Sequence, residues 1–179
     1  MTNKKPFLTI YEIVIFGMLG GVMYVSKQLM EFLPNVHLIA VFTVALTVVY
    51  RFKALFPIYV FILLTGLFNG FSLWWYPYLY LWLVLWAATM LLPKKMNKKI
   101  APLVYMAVAG LHGYCYGTLY APYQALVFHL NFKQTLAWIA AGLPWDAVHG
   151  TSNLIVGILI VPLITVLRLC EKQFNQRNQ

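Results

Sequence analysis

The chain has 179 residues, of which 62% are hydrophobic and 9% charged, against roughly 45–50% and about 25% in ordinary soluble proteins. With 13 Lys and Arg and 4 Asp and Glu, a soluble globule of 20.6 kDa could not cover its surface in charge, which excludes a soluble enzyme domain, a disordered tail and a disulfide scaffold. The net charge of +9 does not point to nucleic acid, because the cations cluster between long apolar runs, as in the loops of membrane proteins.

A hydrocarbon core about 30 Å thick is crossed by about 20 apolar residues in helix. Breaks at charges, prolines and polar clusters predict six helices, at about 8–31, 37–50, 54–70, 76–92, 101–128 and 143–169. The expected fold is an all-α membrane protein, a single compact transmembrane bundle over 1–179. The first helix lacks a small-residue cleavage site after it and reads as retained, not as a signal peptide. Its Gly17, Gly20 and Gly21 leave a small-residue groove, suited either to a foreign helix or to packing within the chain. A polar loop over 32–37 follows, with Pro34, Asn35 and His37.

Only Arg51, Phe52 and Lys53 separate the second and third helices. Two cations at the bilayer centre would be expensive, so a tight hairpin is predicted there. The segment 69–78 reads Asn-Gly-Phe-Ser-Leu-Trp-Trp-Tyr-Pro-Tyr. Trp74, Trp75, Tyr76, Tyr78 and Tyr80 either anchor helix ends at headgroup depth or line a pocket that captures a flat organic ligand by stacking.

The fifth helix carries Gly113 and Gly117, a pair spaced for close backbone approach. Its Tyr116, Tyr120 and Tyr123 repeat at helical spacing, as a packing stripe or as hydroxyls sharing a polar cavity. His112 lies deeper and reads as an interhelical residue. A third loop is expected from His129 to about Gly142. In the sixth helix Pro144 suits a first turn, and Asp146, His149 and Asn153 share one face. Polar groups in a span mark a functional site by default; alternatively Asp146, near the second or third helical position, complements the helix dipole.

Placing both termini on the cytoplasmic side puts Lys4, Lys5, Arg51, Lys53, Lys94, Lys95, Lys98, Lys99, Arg168, Lys172 and Arg177 there, and only Lys27 and Lys133 outside. The positive-inside rule therefore predicts N-in and C-in. Cys115 and Cys170 are expected to be free thiols. The chain has no P-loop, no His-Glu-x-x-His metal spacing, no nucleophile elbow and no symmetry between its halves.

This combination of length, six helices, basic cytoplasmic side and small-residue patch on helix one resembles the substrate-binding S-components of energy-coupling factor (ECF) transporters, the vitamin importers of prokaryotes. The resemblance implies a passive receptor, not an enzyme, that captures a vitamin at the external face and topples beside a transmembrane coupling subunit while two cytosolic ATPases supply the energy. It implies a binding site built from Asn35 and His37, Trp74, Tyr78 and Trp82, Tyr120, Tyr123 and Gln124, and Asp146, His149 and Asn153. Gly17, Gly20 and Gly21 would dock the coupling subunit. The chain is similar in its aromatic external surface to the cobalamin-type S-component, with the vitamin as cargo, not cofactor. A pyridine or pyrimidine vitamin (pyridoxine or hydroxymethylpyrimidine) is the next expectation. Outside the resemblance stand an intramembrane enzyme using Asp146 and His149 as acid and base, and a structural membrane partner that binds no small molecule.

Overall fold

A computed structural model describes residues 7–177; Lys4, Lys5 and the Arg177 side chain, counted above among the cytoplasmic cations, lie outside what is described. The described secondary structure is helical. Its helices are α1 (Ile10–Leu29), α2 (Ile39–Tyr50), α3 (Leu55–Asn69), α4 (Tyr78–Met90), α5 (Ala101–Tyr114), α6 (Tyr116–Phe128), α7 (Phe132–Val156) and α8 (Ile160–Arg177), with single 3-10 turns at Arg51–Ala54 and Gly157–Leu159. Three helical stretches, Ile10–Leu29, Ile39–Asn69 and Phe132–Gln173, are long and apolar enough to cross a membrane. Large apolar side chains stay exposed all round the bundle, Ile10 at 83%, Met18 at 63%, Leu111 at 62% and Ile155 at 67%. Apolar exposure on this scale is what a lipid-facing surface requires and a water-facing one avoids.

α2 is apolar all round and buried continuously from Ile39 to Thr47, which places it on the bundle axis, against α4 and α8. It ends because the chain reverses at Arg51, with φ 55° and ψ −120°, a conformation that favours glycine. Two hydrogen bonds hold the reversal. The Arg51 guanidinium donates to the Met90 carbonyl at 2.7 Å, and the Trp86 indole N–H donates to the Arg51 carbonyl at 3.1 Å. The predicted hairpin between the second and third helices is thus present.

α1 begins with a capping box, in which Thr9 accepts from the Glu12 amide and the Glu12 carboxylate accepts from the Thr9 amide. α1 runs parallel to α3. Glu12 pairs with Lys53 at one end, and the Tyr24 hydroxyl donates to Asn69 at the other. Gly20 makes this packing possible, since a Cβ there would lie 2.6 Å from Val60 Cβ. After α3 the chain folds back over 70–77 and does not run out of the bundle. Phe71 and Trp75 fill the space above Gly66, and the Trp75 indole donates to the Ile62 carbonyl at 2.8 Å. α4 consequently starts deep, beside the middle of α3, where the Tyr59 hydroxyl donates to the Leu79 carbonyl.

α5 and α6 run antiparallel to α7 along a glycine seam. Gly110 faces Leu154, Gly113 faces the Gly150 backbone, Gly117 faces Asp146 and Gly157 faces Met106. The close backbone approach expected of this pair is realised at Gly113, whereas Gly117 makes room for the Asp146 carboxylate. Three expectations are corrected. The predicted helix over 101–128 breaks at Cys115 (φ −96°, ψ 3°) into α5 and α6. The predicted loop His129–Gly142 shrinks to 129–131, because Asn131 and Gln134 form a capping box that starts α7 at Phe132. Pro144 therefore lies inside α7, not in a first turn, and Asp146 is far from the start of its own helix.

Candidate functional site

A group of polar and aromatic residues gathers at the end away from Glu12 and Lys53. There the last turn of α1 and the loop before α2 meet α4, α6 and α7 around a cavity of about 250 Å³. α1 and the loop contribute Lys27, Glu31, Asn35 and His37; Tyr78, Tyr116 and His149 come from the three helices. Asn35 sits at φ 59°, a left-handed conformation that Asn adopts more readily than most residues, and this bend carries Val36 and His37 over the cavity.

The inner wall is aromatic. The His37 and His149 rings meet edge to face, centroids 4.9 Å apart, and His149 lies 4.8 Å from Tyr116. Behind them Trp82, fully buried, touches His37 at 5.8 Å, Tyr78 at 5.8 Å and His112 at 5.6 Å. His112 Nε2 bonds the Leu81 carbonyl at 3.0 Å, the interhelical role expected of it. Further out, Tyr120 stacks on Trp138 at 5.8 Å and Tyr123 on Tyr76 at 6.4 Å.

Several buried polar atoms in this cluster have no protein partner: His37 Nδ1, His149 Nε2, Trp82 Nε1 and His112 Nδ1. Buried polar groups are normally hydrogen-bonded, and each exception asks for an explanation. A ring nitrogen serves as donor or acceptor according to tautomer, whereas an indole N–H only donates. The cluster can therefore hold a flat molecule that carries at least one acceptor and is stacked by imidazole and phenol rings. A larger groove of about 340 Å³ lies at the opposite end between α1 and α8, with Glu12, Tyr50 and Glu171 on its wall. No buried polar side-chain atom lacking a partner lies on that wall among the described residues.

Of the residues singled out from sequence, Asn35, His37, Tyr78 and His149 line the cavity and Trp82 backs it. Trp74 touches Tyr78 edge to face at 5.6 Å; Tyr120 and Tyr123 continue the aromatic wall outward, and Gln124 is half-buried on the same helix. Asp146 and Asn153 are turned elsewhere. Both Asp146 carboxylate oxygens accept from the Gly117 amide at 3.0 Å, so Asp146 caps the start of α6 across the break, not its own helix. Asn153 donates to the Ala109 carbonyl at 3.1 Å and is fully buried. Gly17 and Gly21 face open space, whereas Gly20 packs on α3. Sequence reasoning omitted Lys27 and Glu31 from the site, and held Tyr116 only as one of three tyrosines sharing either a packing stripe or a polar cavity. The signals available were an isolated charge pair flanking the first polar loop and the first member of the tyrosine repeat.

No metal-binding group of three or more His, Cys, Asp or Glu exists among the described residues. No protein-family model, curated protein or solved structure matches the chain.

Proposed function

We propose that this chain is a vitamin-capturing S-component of an ECF-type importer, crossing the plasma membrane of a prokaryote six times with both termini in the cytoplasm. On this reading the Lys53 end is cytoplasmic and the histidine end faces outward. A transmembrane coupling subunit and two cytosolic ATPases, as in the family it resembles, would supply docking and energy, and the vitamin is cargo.

The observation that carries the reading is the unpartnered buried nitrogens of His37 and His149, two residues that line one ring-walled pocket, with that of Trp82 behind them. Polar atoms left without partners in an apolar bundle cost free energy, and a captured ligand offsets that cost. The pocket's volume of about 250 Å³, just below the usual range of about 300–1,000 Å³ for ligand sites, favours a single-ring pyridine or pyrimidine vitamin. A corrinoid is several times larger and would require the loop over His37 to part widely from α7. The acid–base enzyme draws less support, because both Asp146 oxygens are engaged by the Gly117 amide.

Calorimetric titration of the full chain in lipid nanodiscs with pyridoxine, hydroxymethylpyrimidine and cobalamin tests this directly. One single-ring vitamin is expected to bind saturably, with no product formed. His149→Ala should weaken it by about 10-fold or more, the loss of a hydrogen bond and a stacking surface. Absence of saturable binding to all three, or turnover of any, would remove this reading.

A further inference from the structure

The loop joining α4 to α5 carries Lys94, Lys95, Lys98 and Lys99 within six residues, and we infer that it is a binding surface for anionic phospholipid headgroups. All four lysines are exposed. The one ion pair among the described residues joins Lys53 to Glu12, so these ammonium groups are neutralised by nothing within that set. The neighbouring cations are already engaged, Lys53 by Glu12 and Arg51 by the Met90 carbonyl.

The loop is also held in place, which a merely solvated charge run need not be. Met96, between the two lysine pairs, is half-buried against the core. The Asn97 side chain accepts from the Lys99 amide at 2.9 Å, and its carbonyl accepts from Ile100 and Ala101 as α5 begins. Leu91, 86% exposed, and Ile100, 52% exposed, bracket the charges with apolar side chains. Ammonium groups set between apolar residues at the end of membrane-crossing helices have the geometry of headgroup contact: acyl chains cover the brackets, and phosphates meet the lysines. An acidic protein surface would satisfy the charges but leave Leu91 and Ile100 in water.

Native mass spectrometry tests the assignment, using the full chain released from bilayers of equimolar phosphatidylglycerol and phosphatidylcholine. Retained phosphatidylglycerol is expected to exceed phosphatidylcholine by about 10-fold, given about five-fold per surface lysine on anionic membranes before competition by salt. The preference should collapse as sodium chloride is raised. Replacement of the four lysines by glutamine should bring it to about one-fold, and replacement by arginine should preserve it. Equal retention of the two lipids, or a preference unchanged in the glutamine variant, overturns the proposal. Displacement of the lipid by glycerophosphoglycerol or inorganic phosphate would assign a free-anion site instead, and displacement by polyglutamate a protein partner. The salt titration of the unmodified chain decides the matter even where the glutamine variant fails to insert, and none of these measurements depends on vitamin capture.

Discussion

At the scale of single residues, the bundle holds two kinds of unpartnered polar atom. One kind sits around a cavity: His37 Nδ1, His149 Nε2 and, behind them, Trp82 Nε1. The other has no cavity to serve. Thr43 is fully buried on α2, its hydroxyl without a partner, while its carbonyl accepts from Thr47 Oγ1 at 2.6 Å. Valine has the same branched shape and no hydroxyl to desolvate, so Thr43→Val is expected to stabilise the fold by about 1 kcal/mol. Thermal unfolding in detergent reads this as a higher midpoint with unchanged ligand affinity. A lower midpoint would mean that the hydroxyl is satisfied, and the contrast between structural and ligand-directed groups would lose its basis.

At the scale of elements, the glycines divide by what faces them. Gly113 meets the Gly150 backbone where α5 crosses α7, and a Cβ there would lie 2.8 Å from main-chain atoms, which cannot move aside as a side-chain end can. Gly113→Ala is expected to cost about 1–3 kcal/mol as the helices are forced apart. Gly17 has nothing within 4 Å, so Gly17→Ala should gain up to about 1 kcal/mol from helix propensity alone. Paired melting curves check both signs, and equal shifts in one direction would refute the seam. These seams were only half legible in the sequence. Small-residue spacing announced Gly113 and Gly117, but nothing distinguishes Gly20, which packs inward, from Gly17, which does not, until the partner helix is known. The positions of α1 to α4 followed the apolar runs closely because charges and polar loops end them, whereas Pro122 and Pro144 lie inside helices and mark no boundary. The start of α7 escaped because its first turns, Phe132-Lys133-Gln134-Thr135, are polar, although Asn131 followed by Gln134 is itself a capping signal. The same error misplaced Asp146 at a helix start. The polar face of α7 was legible as a stripe, but a stripe does not say which member points at a cavity and which at a backbone amide. Only His149 of the three lines the cavity.

For the whole molecule, the issue is how often the chain crosses the bilayer, and its geometry makes two counts distinguishable. If Ile10–Leu29, Ile39–Asn69 and Phe132–Gln173 were three single spans, Arg51 and Lys53 would sit midway through the second, at a cost of several kcal/mol. The reversal at Arg51 instead returns α3 alongside α1, with Glu12 and Lys53 at one end and Tyr24 and Asn69 at the other. With six crossings and the N-terminus inside, Ser72 lies outside and Cys170 inside; with three crossings the two positions exchange sides. Both are exposed. A membrane-impermeant maleimide applied to intact cells should therefore label Ser72→Cys in a background where Cys115 and Cys170 are serine. The native Cys170, in a Cys115→Ser chain, should react only after permeabilisation. The reverse pattern would overturn six crossings from an inside N-terminus: it fits three spans, or six from an outside N-terminus, which would turn the histidine cavity away from the medium from which it is proposed to draw its ligand.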